Sequence, residues 1–277
     1  MTVKVVTDST SDLPPELAKE LDVTVIPLTV FFGDEAYKDG VEITREQFFD
    51  RLTNGNVHPR TTQPAVGDFV EVYKALTEQG HEIVSVHVSD KLSGTMNSAT
   101  SALQEMPGAK IEIVNSKLTA MALTLVVKKA AEVAKAGGSL QEVATAAKDA
   151  AENTQCHFVL DTLEYLQKGG RIGKAQALIG GLLSIKPVLK LVDGEIHPHE
   201  KARSHVKAIA KLKGVVSSNA PFEEIGLIYE GPDGERAELI TFLEGLTDKP
   251  IVTGQIGPVV GTYTGPAVVG FATRKAS

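Results

Sequence analysis

Three short segments carry most of the chain's neutral hydrogen-bonding groups: Thr7-Asp8-Ser9-Thr10-Ser11-Asp12, Thr61-Thr62-Gln63-Pro64 and Ser89-Asp90-Lys91-Leu92-Ser93-Gly94-Thr95. Each follows a strand-like run. Hydroxyls and backbone N–H groups at strand ends suit the holding of a small anion, a carboxylate or a phosphate, and bring no obvious reactive group. Binding is therefore expected ahead of catalysis. A serine opening a helix at 93, after a strand over 83–88, turns its hydroxyl, the N–H groups of Gly94 and Thr95 and the helix dipole on one point. Glycine at 94 leaves room for close approach. The same Ser-Gly-Thr also reads as an ordinary N-cap.

Sharper motifs break down at single positions. Gly169 to Ala175 has Lys168 where a phosphate loop needs its first glycine, and Ala175 where it needs Ser or Thr. Leu92-Ser93-Gly94 is not the Gly-x-Ser-x-Gly elbow of a hydrolase, and strand alternation gives His87 no reason to face Ser93. His197 and His199, with Glu195 and Glu200, alternate along a short strand and read as solvent-facing rather than as a metal site. Cys156 is the one cysteine, which excludes an internal disulfide and a cysteine-based zinc site. No cofactor is expected.

Positioning the hydroxyl turns takes a series of strands and helices. Val3 to Val6 is a β-rich run, and Ser11-Asp12 followed by Pro14-Pro15-Glu16 opens a helix through Leu21. Val23 to Phe32 reads as a second strand, followed by a Gly33-Asp34 turn and helices over 44–52 and 67–78. A strand over 83–88, a helix over 93–105, a strand over 111–114 and Ala-rich helices over 118–136 and 140–153 complete a parallel α/β layout. The character changes near Thr154. A strand over 157–160, a short helix over 163–168 and an apolar helix over 175–183 precede strands that flank Asp193-Gly194, a hairpin signal. Helices over 205–213 and 234–246 then alternate with strands over 224–229 and 251–256, and a β-rich run over 268–271 closes the chain. The expected fold class is α/β, with two α/β domains of mainly parallel or mixed sheets, residues 1–155 and 156–277.

The 277 residues are enough for two ordinary domains, and 42% hydrophobic with 23% charged residues excludes a disordered chain. Aromatics are 5% and Trp is absent, so an apolar pocket would have aliphatic walls, better suited to an alkyl chain than to a nucleobase. The net charge of -7 argues against nonspecific nucleic-acid binding. An acid at Asp8 interrupts the start too early for a signal peptide. The apolar stretches over 118–127 and 175–192 fall short of the ~20 residues of a membrane span. A cytoplasmic location is expected. Residues 160–215 hold ten Lys and Arg against five Asp and Glu, which reads as a docking face for an acidic partner or an anionic membrane surface, or as a solvated helix face. Arg171 and Arg203 are its partner or anchor positions, not catalytic ones.

Seven motifs in order then carry a resemblance: Thr7-Asp8-Ser9 with Ser11-Asp12-Leu13-Pro14; Thr61-Thr62-Gln63-Pro64; Leu92-Ser93-Gly94-Thr95 with Ser98-Ala99; Tyr165-Leu166-Gln167-Lys168-Gly169-Gly170-Arg171-Ile172; Ile185-Lys186-Pro187-Val188-Leu189; Lys201-Ala202-Arg203; and Gly261-Thr262-Tyr263-Thr264-Gly265-Pro266. Nearly end to end, the chain resembles the DegV family, the bacterial fatty-acid-binding group that includes the acyl-carrying subunit of fatty acid kinase.

The resemblance implies a two-domain protein burying one long-chain fatty acid in a tunnel between its domains. It implies that Thr62, Ser93 and the Gly94 backbone hold the carboxylate for a separate ATP-binding kinase subunit, which makes an acyl phosphate in phospholipid metabolism. Tyr263 stands where many members have His; a phenol can donate one hydrogen bond but cannot become a cation near neutral pH. It is placed near the carboxyl, with a packed tyrosine as the other reading. Neutral donors orient a carboxylate without a tight ion pair, and a chain of about sixteen carbons brings about 12 kcal/mol of gross transfer energy at ~0.8 kcal/mol per CH₂. Met96, Met121, Ile179, Leu182, Leu183, Ile185 and Leu189 are candidate tunnel residues, each also readable as ordinary core. The alternative function is an enzyme: a lipid or ester hydrolase using Ser93, or a phosphotransfer subunit similar to dihydroxyacetone kinases.

Overall fold

The computed structural model describes residues 2–179, 185–230 and 233–276. Its first sheet is parallel throughout, in the order β2-β1-β6-β7, from β1 (Val3–Asp8), β2 (Val23–Ile26), β6 (Glu82–His87) and β7 (Ile111–Asn115). The central strands β1 and β6 are buried at five of six positions each because both faces of the sheet are covered. Alternate residues go to opposite layers. Val5, Val84 and Val86 pack with α5 (Ala120–Lys135) and α6 (Leu140–Asn153), while Val6 and Ile83 pack with α3 (Val66–Glu78) and α4 (Thr95–Gln104).

The second sheet has six strands in the order β10-β9-β8-β13-β11-β12: β8 (Thr154–Leu160), β9 (Lys186–Val192), β10 (Glu195–Ala202), β11 (Glu224–Glu230), β12 (Val252–Gly254) and β13 (Val268–Arg274). Only β11 and β12 pair in parallel. The β9–β10 hairpin turns on Asp193 and Gly194, at φ 47° and 83°, as the Asp-Gly pair predicts. On the outer face lie α8 (His205–Ser217) and α9 (Asp233–Glu244), over Val159, Leu227 and Phe271.

Helix α5 joins the two halves. Every residue from Ala120 to Val127 is buried, which fits a helix apolar all round, and it packs against β1 on one side and β8, β11 and β13 on the other. One core cluster accordingly runs from Val3 and Val5 through α5 to Phe158, Leu160 and Ala272. The boundary expected at residue 155 falls at the start of β8.

The run from Val23 to Phe32, read as one strand, is two. It breaks at Pro27-Leu28, and β3 (Thr29–Phe32) enters a separate antiparallel sheet with β4 (Glu35–Lys38) and β5 (Arg60–Thr62). A proline has no N–H to give to a ladder, so the change of sheet occurs there. Behind this sheet packs α2 (Arg45–Asn54), opened by a Thr44–Gln47 capping box. Helix α1 (Pro15–Leu21) starts on Pro15 as read, and α7 (Glu164–Lys168) precedes a 3-10 turn at Gly173–Leu178. That turn replaces the start of the apolar helix expected over 175–183. Helix α10 (Pro258–Thr264) occupies the glycine-rich segment before β13 and packs on α2, α7, β3 and β5.

Candidate functional site

The chain leaves β1 for β2 on one side and later places β6 on the other, so the carboxyl ends of β1 and β6 face a crevice at the point where strand order reverses. The hydroxyl turns emerge there. A buried network fixes them: Asp8 Oδ1 accepts hydrogen bonds from Thr10 N–H at 3.1 Å and Thr10 Oγ1 at 2.6 Å, and Asp8 Oδ2 accepts from Val88 N–H at 3.0 Å. His87 belongs to this frame. Its Nδ1 lies 2.9 Å from Asp8 Oδ2 and its Nε2 2.7 Å from Ser85 Oγ, which also accepts from the Tyr73 hydroxyl. The imidazole is thus turned into the sheet and gives Ser93 no base.

Helix α4 starts at Thr95 with Gly94 as N-cap, two residues later than expected. Ser93 Oγ takes the Thr95 N–H at 3.3 Å and lies 2.8 Å from Thr95 Oγ1. The Thr95 N–H is therefore already used by Ser93. Either hydroxyl can donate in this pair; with Thr95 Oγ1 as donor the proton of half-buried Ser93 is free for a ligand. Gly94 lies against Gln63, whose amide would be 2.8 Å from an added Cβ.

Opposite Ser93 stands Tyr263 on α10. Its hydroxyl is 2.5 Å from Thr61 Oγ1, so one of the two donates to the other and the pair keeps one proton to offer. The Tyr263 ring packs on Gly169, where an added Cβ would sit 2.3 Å from ring Cδ1. Over the same ring lies the Arg171 guanidinium, 5.0 Å from the centroid. Arg171 donates through Nε to the Leu92 carbonyl at 3.1 Å and through a terminal nitrogen to the Gly169 carbonyl at 2.8 Å. The Gly-Gly-Arg segment thus ties the loop carrying Ser93 to the helix carrying Tyr263.

Two acids pin the other end of α10. Asp12 Oδ1 accepts the Gly257 N–H at 2.9 Å, and Asp12 Oδ2 is buried without a partner among the described residues. Asp39 lies beside it and accepts from Ser9 and from the Val259 N–H. Burial, then mutual repulsion with Asp39, raises Asp12 well above the carboxylate range. Burial chiefly raises Asp39 to about 7.

From the polar cluster of Thr61, Gln63, Ser93, Arg171 and Tyr263 a cavity runs inward between α5, α10 and the inner face of the second sheet. Its walls are mainly aliphatic, with Leu28, Val88, Leu166, Ile196, Ile228, Ile256, Val260 and Val268 among them, and Met121, Phe158 and Cys156 deeper in. It offers about 110 Å³ to the centre of a water molecule within about 980 Å³ of atom-free space that includes its mouth; most of the space is narrow. Burial pushes the Cys156 thiol up to about 12, so this wall is unreactive at neutral pH.

Of the expected head-group residues, Ser93 and Tyr263 line the cavity and Gly94 stands behind Gln63. Thr62 is exposed on the far side of β5, and Thr61 takes the inward position. Of the expected tunnel residues Met121 is in the wall. Leu189 is buried core, Ile179 and Ile185 pack against that core, and half-buried Met96 lies outside the lining on α4. Leu182 and Leu183 lie outside the described residues. Arg203 is exposed, away from the cavity. Thr61, Gln63 and the β8, β11 and β13 walls were missed, because long-range pairing and not local sequence puts them there. Among the described residues no group of three or more His, Cys, Asp or Glu could hold a metal, and no helix is long and apolar enough to cross a membrane.

The family model described as uncharacterised protein, DegV family, matches residues 2–276. A DegV domain-containing protein of Streptomyces coelicolor is 39% identical over 281 residues, covering 99% of this chain and 98% of the relative. Among solved structures, a fatty-acid-binding DegV family protein from Thermus thermophilus superposes with a TM-score of 0.92 at 35% identity, each chain covered completely (100%). A stearic acid-binding protein from Eubacterium ventriosum gives a TM-score of 0.87 at 28% identity, with 99% of this chain and 98% of that one covered. With the same α/β fold and a match along nearly its whole length, the chain belongs to the DegV family.

Proposed function

We propose that this protein binds one long-chain fatty acid, with the alkyl chain in the cavity beneath α10 and the carboxylate at the cluster of Ser93, Thr61 and Tyr263. The carrying observation is the union of a narrow aliphatic cavity with hydroxyl donors at one end of it. The Thermus thermophilus and Eubacterium ventriosum relatives, which bind fatty acids, support the reading. In it Thr61 takes the role the sequence assigns to Thr62, and Arg171 supplies positive charge nearby while its two backbone bonds hold it in place. The affinity comes chiefly from the chain, since each buried CH₂ contributes about 0.8 kcal/mol.

The finer reading is that the protein carries its fatty acid to a separate ATP-binding kinase subunit, which converts the carboxylate to an acyl phosphate. Neutral donors favour this, because they orient the carboxylate while leaving its oxygens nucleophilic. A hydrolase reading of Ser93 lacks a base: His87 is committed to Asp8 and Ser85, and among the described residues no His lines the cavity. The test is to incubate the loaded protein with ATP, with and without a bacterial fatty acid kinase subunit. Acyl phosphate formed only with the subunit supports the carrier. Ester turnover by the protein alone that vanishes in Ser93→Ala overturns it.

A further inference from the structure

The outer face of the second sheet carries a second site. Alternation along β8 sends Cys156 and Phe158 to the cavity and His157 to the opposite face. There a groove of about 490 Å³ opens between the strands and the C-terminal half of α8. His157 is 6% exposed and lines it, yet its ring has no hydrogen-bond partner among the described residues. Lys190 sits directly opposite His157 in the β8–β9 register. His199 is the extra residue of a β-bulge between Pro198 and Glu200, and its ring reaches to 5.1 Å from that of His157. A bulge is a common means of re-aiming a side chain.

We propose that this groove binds a phosphate-bearing anion, held by His157, Lys190 and His199. The charged and titratable groups lining it are His157, Lys190 and His199 from the sheet, together with Lys211 of α8 and Glu200, which pair with each other. Lys190 and His199 have no ion pair among the described residues. Among the described residues the site therefore has one lysine without an ion pair, Lys190, beside a largely buried imidazole whose ring nitrogens make no hydrogen bond. Burial first, then His199 and Lys190, push His157 down to about 4, so near neutral pH its ring is neutral and can donate one hydrogen bond. An anion would pair with the Lys190 charge, and a tetrahedral oxyanion has enough acceptor oxygens for donors converging from three strands, β8, β9 and β10. The negative end of α8 opposes an anion weakly, since Ser218 and Asn219 already occupy its last carbonyls.

The test follows the ring nitrogens of His157 by NMR at pH 7 in the full chain. Inorganic phosphate should shift them saturably while chloride at equal ionic strength does not. Lys190→Ala should weaken binding by about tenfold or more, the loss of one charge-assisted hydrogen bond. Exposed His199→Ala should weaken it too, and Lys207→Ala, outside the groove, should leave it unchanged. If only vesicles of phosphatidylcholine carrying phosphatidic acid, and not phosphatidylcholine alone, produce the Lys190-dependent shift, the anion is a lipid headgroup. If neither probe moves His157, if Lys207→Ala weakens binding as much as Lys190→Ala, or if zinc alone produces the shift, the site is not an anion site.

Discussion

The hydroxyl oxygens of Thr61 and Tyr263 lie 2.5 Å apart although the residues are 202 positions apart in the chain. Each comes from a different half of the protein, so this contact closes the cavity mouth and fixes one donor there. Tyr263→Phe keeps the ring beneath Arg171 and removes only the hydroxyl. Fatty-acid affinity is expected to fall by about three- to tenfold, the net worth of one hydrogen bond, with chain-length preference unchanged. Displacement of a fluorescent fatty acid measures both; unaltered affinity would mean that the phenol does not serve the carboxylate.

Gly169 is expected to tolerate no side chain. An added Cβ would overlap the Tyr263 ring at 2.3 and 2.5 Å, and that ring is held between Thr61 and Arg171. Gly169→Ala should destabilise the protein by about 1–3 kcal/mol, as overpacking does, and lower fatty-acid uptake with it. Thermal unfolding and loading of the same sample check the pair of effects. An unchanged Tm would show that the ring is free to move.

Asp12 and Asp39 make stability depend on pH. Both have folded-state pKa values raised by burial, Asp39 to about 7, so the folded protein holds protons that the unfolded chain releases above about pH 4. Their contribution is fully present below that pH and is lost as pH rises through the raised folded-state values, which for Asp39 is about 7. Asp39→Asn is expected to flatten the decline, raising Tm at pH 8 and changing it little at pH 5. Unfolding at the two pH values decides it; an equal shift at both would remove Asp39 from the account.

The parallel first sheet and the Asp193-Gly194 hairpin were legible in the sequence because each has a local signal, apolar β-branched runs between capped helices and a turn dipeptide of fixed geometry. The place of Ser93 just ahead of α4 was legible for the same reason. Thr61 was not: β5 is three residues long, with no hydrophobic alternation to set its register, and a shift of one residue exchanges inner and outer faces. Of the candidate tunnel residues Met121 lines the cavity, whereas Ile185 and Leu189 do not, and for a different reason. Ile185 and Leu189 are apolar, but whether an apolar side chain meets a cavity or another side chain is set by how β8, β11 and β13 pair and how α10 folds across them.

Mass spectrometry of the purified protein, native and then after denaturing extraction, shows whether the cavity holds a fatty acid. A fatty acid is expected at about one per chain, its occupancy reduced in Thr61→Ala/Ser93→Ala and retained in Thr62→Ala. A protein that arrives empty and takes up no added fatty acid, or one whose occupancy depends on Thr62 and not on Thr61, would contradict the proposed binding.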